Sequence, residues 1–221
     1  MILKVNEKNM GAINAEYSLR IRCPSCKHNG TFVNNINHDF RFHKAKTTNP
    51  QVQENVILGQ RRCPEPSCCA PVFFVAIGNK TIVTYPAETI DFDSSNIPEN
   101  ITDSFQEAIT CHANNCYIAS AIMVRKTLEE LCRDRGATGD DLKKRVTSLG
   151  ATVVLPQELL DGLDEIRLLG NDAAHIESQT FNQVGKEEVE VGIEFTKEVL
   201  KAVYQYINLL KRLHALKKAT S

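Results

Sequence analysis

The sequence predicts an α+β protein in two parts: a small β-rich module over residues 1–96, then an all-α bundle of about five helices over residues 97–221. Three observations predict it. Short alternating or aromatic runs crowd the first part, apolar stripes at helical spacing fill the second, and five of the eight cysteines fall before residue 97.

The elements follow in order. Tyr17-Ser-Leu-Arg-Ile-Arg22, His38-Asp-Phe-Arg-Phe-His43, Val52–Leu58 and Val72–Ile77 alternate, or mass aromatic and β-branched residues, as strands do. Gly78-Asn79 between Val72–Ile77 and Thr81–Tyr85 is a two-residue hairpin signal. Asp91 to Pro98 is polar and reads as a linker. Beyond it, Ile101, Phe105, Ala108 and Ile109 mark a first amphipathic helix. Ile118, Ile122, Leu128, Leu131 and Cys132 mark a second, stopped by Gly136. Asp140 to Leu149 is a short third helix closed by Gly150. Pro156 opens a fourth that runs to about Glu177. Val189, Ile193, Leu200, Val203, Ile207, Leu210 and Leu213 place a long fifth helix over Lys186 to Lys217.

Composition excludes several classes. At 42% hydrophobic and 24% charged, the 221-residue chain is neither disordered nor membrane-embedded. Its longest apolar run, Pro71 to Ile77, is far too short to span a bilayer. Residues Met1 to Lys8 lack the basic start and apolar run of a secretory signal, so the expected location is the cytoplasm. Clustered thiols in a reducing compartment point to metal rather than disulfides. A net charge of −1 excludes a strongly basic nucleic-acid binder. Residues 1–96 carry 11 Lys+Arg against 8 Asp+Glu, and residues 97–221 carry 15 against 19.

The cysteines give the first chemistry. Cys23-Pro-Ser-Cys26 and Cys63-Pro-Glu-Pro-Ser-Cys68 each follow a predicted strand and contain proline in the turn. Two such pairs can present four thiolates in the tetrahedron that Zn²⁺ accepts, at about 2.3 Å per bond. Cys68 is preferred to Cys69 as the fourth ligand, because one residue then follows the pair as Lys27 follows Cys26. Cys69, or one of His28, His38 and His43, is the alternative ligand. Four thiolates leave no open position, so the ion would be structural. With one Zn²⁺ they carry a net −2, which takes the module from +3 to about +1. Cys111, Cys116 and Cys132 read as core thiols.

The predicted fourth helix gives the second. Arg167, Asn171 and His175 are spaced by four and share a helix face. Arg offers a planar fork to phosphate oxygens, Asn donates or accepts, and His moves protons near neutral pH. The bland alternative has Arg167 paired with Asp164, and Asn171 and His175 bonded within the bundle. Gly162 and Gly170, with Ile166 and Ala174, form a mostly small stripe where another backbone, from the bundle or from a second subunit, can come close.

These segments resemble an uncharacterised family of the HEPN superfamily, in which an N-terminal zinc ribbon often precedes a helical domain. The resemblance rests on the two cysteine pairs, Phe105-Gln-Glu-Ala108, Met123-Val-Arg-Lys-Thr-Leu-Glu129 and Ile166-Arg-Leu-Leu-Gly-Asn-Asp-Ala-Ala-His175. It implies a dimer-forming domain from bacterial and phage defence, with metal-independent ribonucleases among its relatives. Carried over, His175 is the general acid or base at a ribose 2′-OH, Asn171 the polar residue, and Arg167 the group that stabilises phosphorane charge. Two departures stand out: residues 168–174 make the Arg–His gap wider than the superfamily motif, and Gly170 stands where Arg would precede Asn171.

Three functions follow as expectations. The first is a dimeric zinc-ribbon and HEPN-like binding or accessory module that engages RNA or a protein partner and no membrane. The second is an endoribonuclease using Arg167, Asn171 and His175. The third is a purely structural accessory subunit.

Overall fold

The computed structural model describes residues 11–34, 38–45, 53–175 and 183–216. Val52, Glu177 and Lys217, which bound three of the expected elements, lie outside them. The chain divides into two compact units, Met1–Thr89 and Ile90–Ser221. Residues 90–96, grouped by sequence with the β module, carry Ile90 and Phe92 against the helical core. The Phe92 ring meets Phe105 edge-on at 4.7 Å.

The first unit is built on an antiparallel sheet. Strands β1 (Gly11–Asn14), β4 (Val33–Asn34), β5 (His38–Ala45), β6 (Gln53–Arg62), β7 (Pro71–Ile77) and β8 (Lys80–Tyr85) form it in the order β1-β5-β6-β7-β8, with β4 also on β6. Strands β2 (Arg20–Arg22) and β3 (Asn29–Thr31) pair separately. The expected Gly78-Asn79 turn joins β7 to β8, with Gly78 at φ +57°, a conformation that costs glycine nothing. Strands β1, β3 and β4 escaped the sequence reading because each is too short to show a period.

Strand alternation sorts the sheet's two faces. Ile57, Val72, Phe74 and Ala76 face a small core closed by Leu19, Ile21 and Phe32. The other face leaves Phe40, Phe73, Val83 and Tyr85 exposed around a groove of 290 Å³. Inside the covered face sits a fully buried ion pair. Arg61 donates through Nη1 and Nη2 to the two Asp39 carboxylate oxygens, both at 2.7 Å. Its remaining N–H groups reach the carbonyls of Tyr17 and Gln60, and its guanidinium lies 4.8 Å from the Phe74 ring centre. Residue 59 must be glycine here, since a Cβ would strike Asp39 Oδ1 and the Phe74 ring.

The second unit holds five helical rods: α1 (Glu99–Ala113), α2 (Tyr117–Asp134), α3 (Leu142–Thr152), α4 (Gln157–Ala174), and a long rod made of α5 (Lys186–Leu200), a π-helical turn (Lys201–Gln205) and α6 (Tyr206–Ala215). Asp141 caps α3 by accepting the Lys144 N–H at 2.8 Å, and Gly136 stops α2 at φ +69°. Ile101, Phe105, Val124, Leu128, Leu131, Leu163, Ile166, Ile193 and Leu200 meet in the core. Tyr204 is buried with them and donates to Asp134 Oδ2 at 2.7 Å. Burial raises its phenol pKa above the usual range.

Two expectations are corrected, and an open one is resolved. Gly150 does not close α3, which runs on to Thr152; a Cβ at 150 would instead meet Leu160. Cys132 is buried, its thiol pushed up to about 11 by burial, but Cys111 is only half-buried and Cys116 is exposed at the cap of α2. The glycines of α4 serve packing inside the unit: a Cβ on Gly162 would strike the Phe195 ring, and one on Gly170 would strike Arg125 Cβ. Arg125 Cβ is fixed to the α2 backbone and cannot swing aside. Gly170→Ala is therefore expected to lower stability by roughly 1–3 kcal/mol through overpacking, despite a helix-propensity gain of about 1 kcal/mol, as read from thermal unfolding.

Candidate metal centre and helical polar cluster

In the β unit, each cysteine pair is held by the same local wiring. The Cys23 N–H donates to the His28 carbonyl at 2.8 Å, and the Cys63 N–H to the Ala70 carbonyl at 2.9 Å, closing two equivalent loops. The residue after the second cysteine of each pair takes positive φ: Lys27 at 65° and Cys69 at 51°. This reversal turns the preceding sulfur inward. Consequently Cys68 joins the cluster, while Cys69 points its Sγ at the Pro66 carbonyl, 3.3 Å away.

The sulfurs of Cys23, Cys26, Cys63 and Cys68 all lie within 4.8 Å of one another. Cys23 Sγ and Cys68 Sγ are 3.8 Å apart, Cys26 Sγ and Cys63 Sγ 3.7 Å. Those two separations share no atom, so they are opposite edges of a tetrahedron. Backbone N–H groups two residues further on, at His28, Glu65 and Ala70, hydrogen-bond Cys26, Cys63 and Cys68 and pull each toward its thiolate. At Cys26, burial and the neighbouring thiols outweigh that pull and raise the thiol overall. The Ala70 amide draws Cys68 down to about 7, whereas burial pushes Cys63 up to about 12. Four soft donors in this arrangement could hold one metal ion. None of His28, His38 and His43 belongs to the cluster.

In the helical unit, the three expected catalytic residues are placed differently from one another. Arg167 and Asn171 lie on α4, but His175 is the residue that leaves it, with extended backbone at φ −130° and ψ 122° and an exposed side chain. The spacing of four therefore does not carry the helix face as far as His175. Arg167 Nε donates to Asp164 Oδ1 at 2.6 Å, and this bond holds the Asp164 carboxyl below the usual carboxylate range. Asn171 Oδ1 accepts instead from Arg125 Nη1 of α2 at 2.5 Å, and the same Nη1 reaches the Arg167 carbonyl at 3.3 Å. Arg125 Nε binds Glu129 at 3.1 Å.

Sequence reasoning placed Arg125 only within the Met123–Glu129 segment of the resemblance. Its contact with Asn171 spans 46 residues, and the one linear hint was Gly170, whose missing side chain makes room for it. Among the described residues, no helix is long and apolar enough to cross a membrane. No curated protein and no solved structure matches the chain. One family model, described as Domain of unknown function (DUF4145), matches residues 106–219, which is most of the helical unit and none of the clustered cysteines. Because that match covers more than half of the chain, the protein belongs to the DUF4145 family.

Proposed function

We propose that the chain is a zinc-stabilised binding module of HEPN-like build, an accessory that docks a partner and does not itself cleave RNA. The observation that carries this reading is the state of the polar cluster. Arg167 is committed to Asp164, Asn171 to Arg125, and His175 stands off the helix. A catalytic set needs its acid, base and charge stabiliser aimed at one point, whereas Arg167 and Asn171 are spent on intramolecular bonds and His175 lies beyond the helix end. Zinc fits the thiol cluster on distance: Zn–S bonds of about 2.3 Å give tetrahedral edges of about 3.8 Å, which the two sulfur pairs match. The ribbon's open aromatic groove supplies a contact surface. The acidic balance of residues 97–221 favours a protein partner over the phosphate backbone of RNA.

One observation favours the endoribonuclease instead. Arg125 lies against Gly170 and bonds Asn171, which places a guanidinium beside the position where the superfamily's arginine is missing. The purified chain, incubated with structured and unstructured RNAs in EDTA, is expected to leave them intact. Products with 2′,3′-cyclic phosphate ends, abolished by His175→Ala and by Arg125→Ala, would overturn the binding-only reading.

A further inference from the structure

The turn from α1 to α2 is closed by two backbone hydrogen bonds. The Asn115 N–H donates to the His112 carbonyl and the Cys116 N–H to the Cys111 carbonyl, both at 2.9 Å. Between them Asn115 takes the left-handed conformation, at φ 62°, and its Oδ1 accepts the Tyr117 hydroxyl at 2.7 Å. In a helix end of this kind, the residue three before the cap and the residue two after it turn their side chains together, and an apolar contact usually fills the place. With Asn114 as the cap of α1, those two residues are Cys111 and Cys116. The bond between them also fixes their separation. One carbonyl, one hydrogen bond and one N–Cα link hold the two Cα atoms no more than about 7 Å apart, which is within the span of a disulfide. Neither residue belongs to the thiol cluster of the β unit.

The two sulfurs differ in access. Cys116 is exposed, and its Sγ leans on the Asn114 carbonyl at 3.7 Å, a contact that rotation about the Cα–Cβ bond releases. Cys111 is half-buried; burial raises its thiol pKa, and the neighbouring Cys116 and Glu107 raise it further. We infer that Cys111 and Cys116 form a redox modification site, which closes to an intrachain disulfide by exchange with a small-molecule disulfide such as oxidised glutathione. The exposed Cys116 thiolate attacks one sulfur of the small disulfide, whose S–S bond breaks and releases one thiolate. The Cys111 thiolate then attacks Cys116 Sγ in the mixed disulfide and expels the second. The two cysteine protons pass to the released thiolates, so two protein thiols lose two electrons and one small disulfide becomes two thiols. Where the surroundings are reducing, such a bond is transient and reports oxidation rather than building the fold. Closed, it ties the last turn of α1 to the residue that caps α2. The site is independent of the binding reading.

Peptide mass mapping tests it. The purified full chain is incubated with oxidised glutathione under native conditions, its remaining thiols are alkylated, and its tryptic peptides are weighed. Thr81–Arg125 is one such peptide, and it carries these two cysteines and no other. In the wild type it is expected to be lighter by two hydrogens than the unalkylated dithiol, and dithiothreitol should return it to the dithiol. Cys111→Ser should trap the intermediate, a glutathionyl group on Cys116, at least about tenfold more abundantly than the wild type does. Cys116→Ser should leave Cys111 open to alkylation. A wild-type peptide that keeps two alkylated thiols would overturn the inference. So would glutathione retained on Cys116 of the wild type, or a bond that links two chains instead of closing within one.

Discussion

Cys63→Ser is expected to melt the β unit while leaving the helical transition in place. The core cluster of that unit holds nine buried residues among those described, two of which, Cys23 and Cys63, are themselves members of the thiol cluster. A core this small stabilises a fold weakly, and a structural zinc contributes an apparent 10–16 kcal/mol, about as much as a whole domain's net stability. Losing one of four thiolates removes most of that contribution. Calorimetry or far-UV circular dichroism on the full chain should show the lower of two transitions vanish, and EDTA should reproduce the effect. Elemental analysis should find one zinc per chain in the wild type. Cys69→Ser is the control and should be near neutral, since its sulfur points at the Pro66 carbonyl. An unaltered β transition in Cys63→Ser would sink the metal reading.

Asp39→Ala should cost the same unit about 3–5 kcal/mol, because it strands a guanidinium that has no exposed surface. Arg61 would keep its bonds to the Tyr17 and Gln60 carbonyls but lose both charge-assisted ones. The pair contrasts with surface bridges such as Lys144–Asp140, where both side chains are more than half exposed and substitution should change stability by under about 1 kcal/mol. Replacing both members, Asp39→Leu with Arg61→Met, removes the stranded charge and should recover much of the loss. The measurement is denaturant unfolding followed through the β transition. A single Asp39→Ala variant as stable as wild type would show that water reaches Arg61.

Whether a feature was legible in the sequence depended on the distance over which it acts. The cysteine pairs announced themselves because a turn that carries two cysteines is local, and even the choice of Cys68 over Cys69 as a member of the cluster followed from the position of Lys27. The α+β division was equally local, written in periods of two and of 3.6 residues. The Asp39–Arg61 pair was not legible: on strands His38–Ala45 and Gln53–Arg62 both residues look like the polar half of an alternation, and only the register buries them together. Arg125 and Asn171 meet across two helices, which no spacing rule connects. The stripe ending at His175 failed for the opposite reason, since helical periodicity was extended one residue past the end of the helix.

The π turn at Lys201–Gln205 also changes what the rod beyond it can do. It takes five residues for a step that α-helix makes in four, so everything after it is out of phase by about 100°. The inward stripe Val189, Ile193, Leu200, Val203 would have continued through Ile207, Leu210 and His214. With one residue inserted it passes through Asn208, the only half-buried residue of α6, and the apolar side chains are rotated outward. Deleting Ala202 should restore the phase and return Ile207 and Leu210 to the inward side. Two amphipathic helices of different phase thus share one continuous backbone, and a single residue decides which way the second one faces.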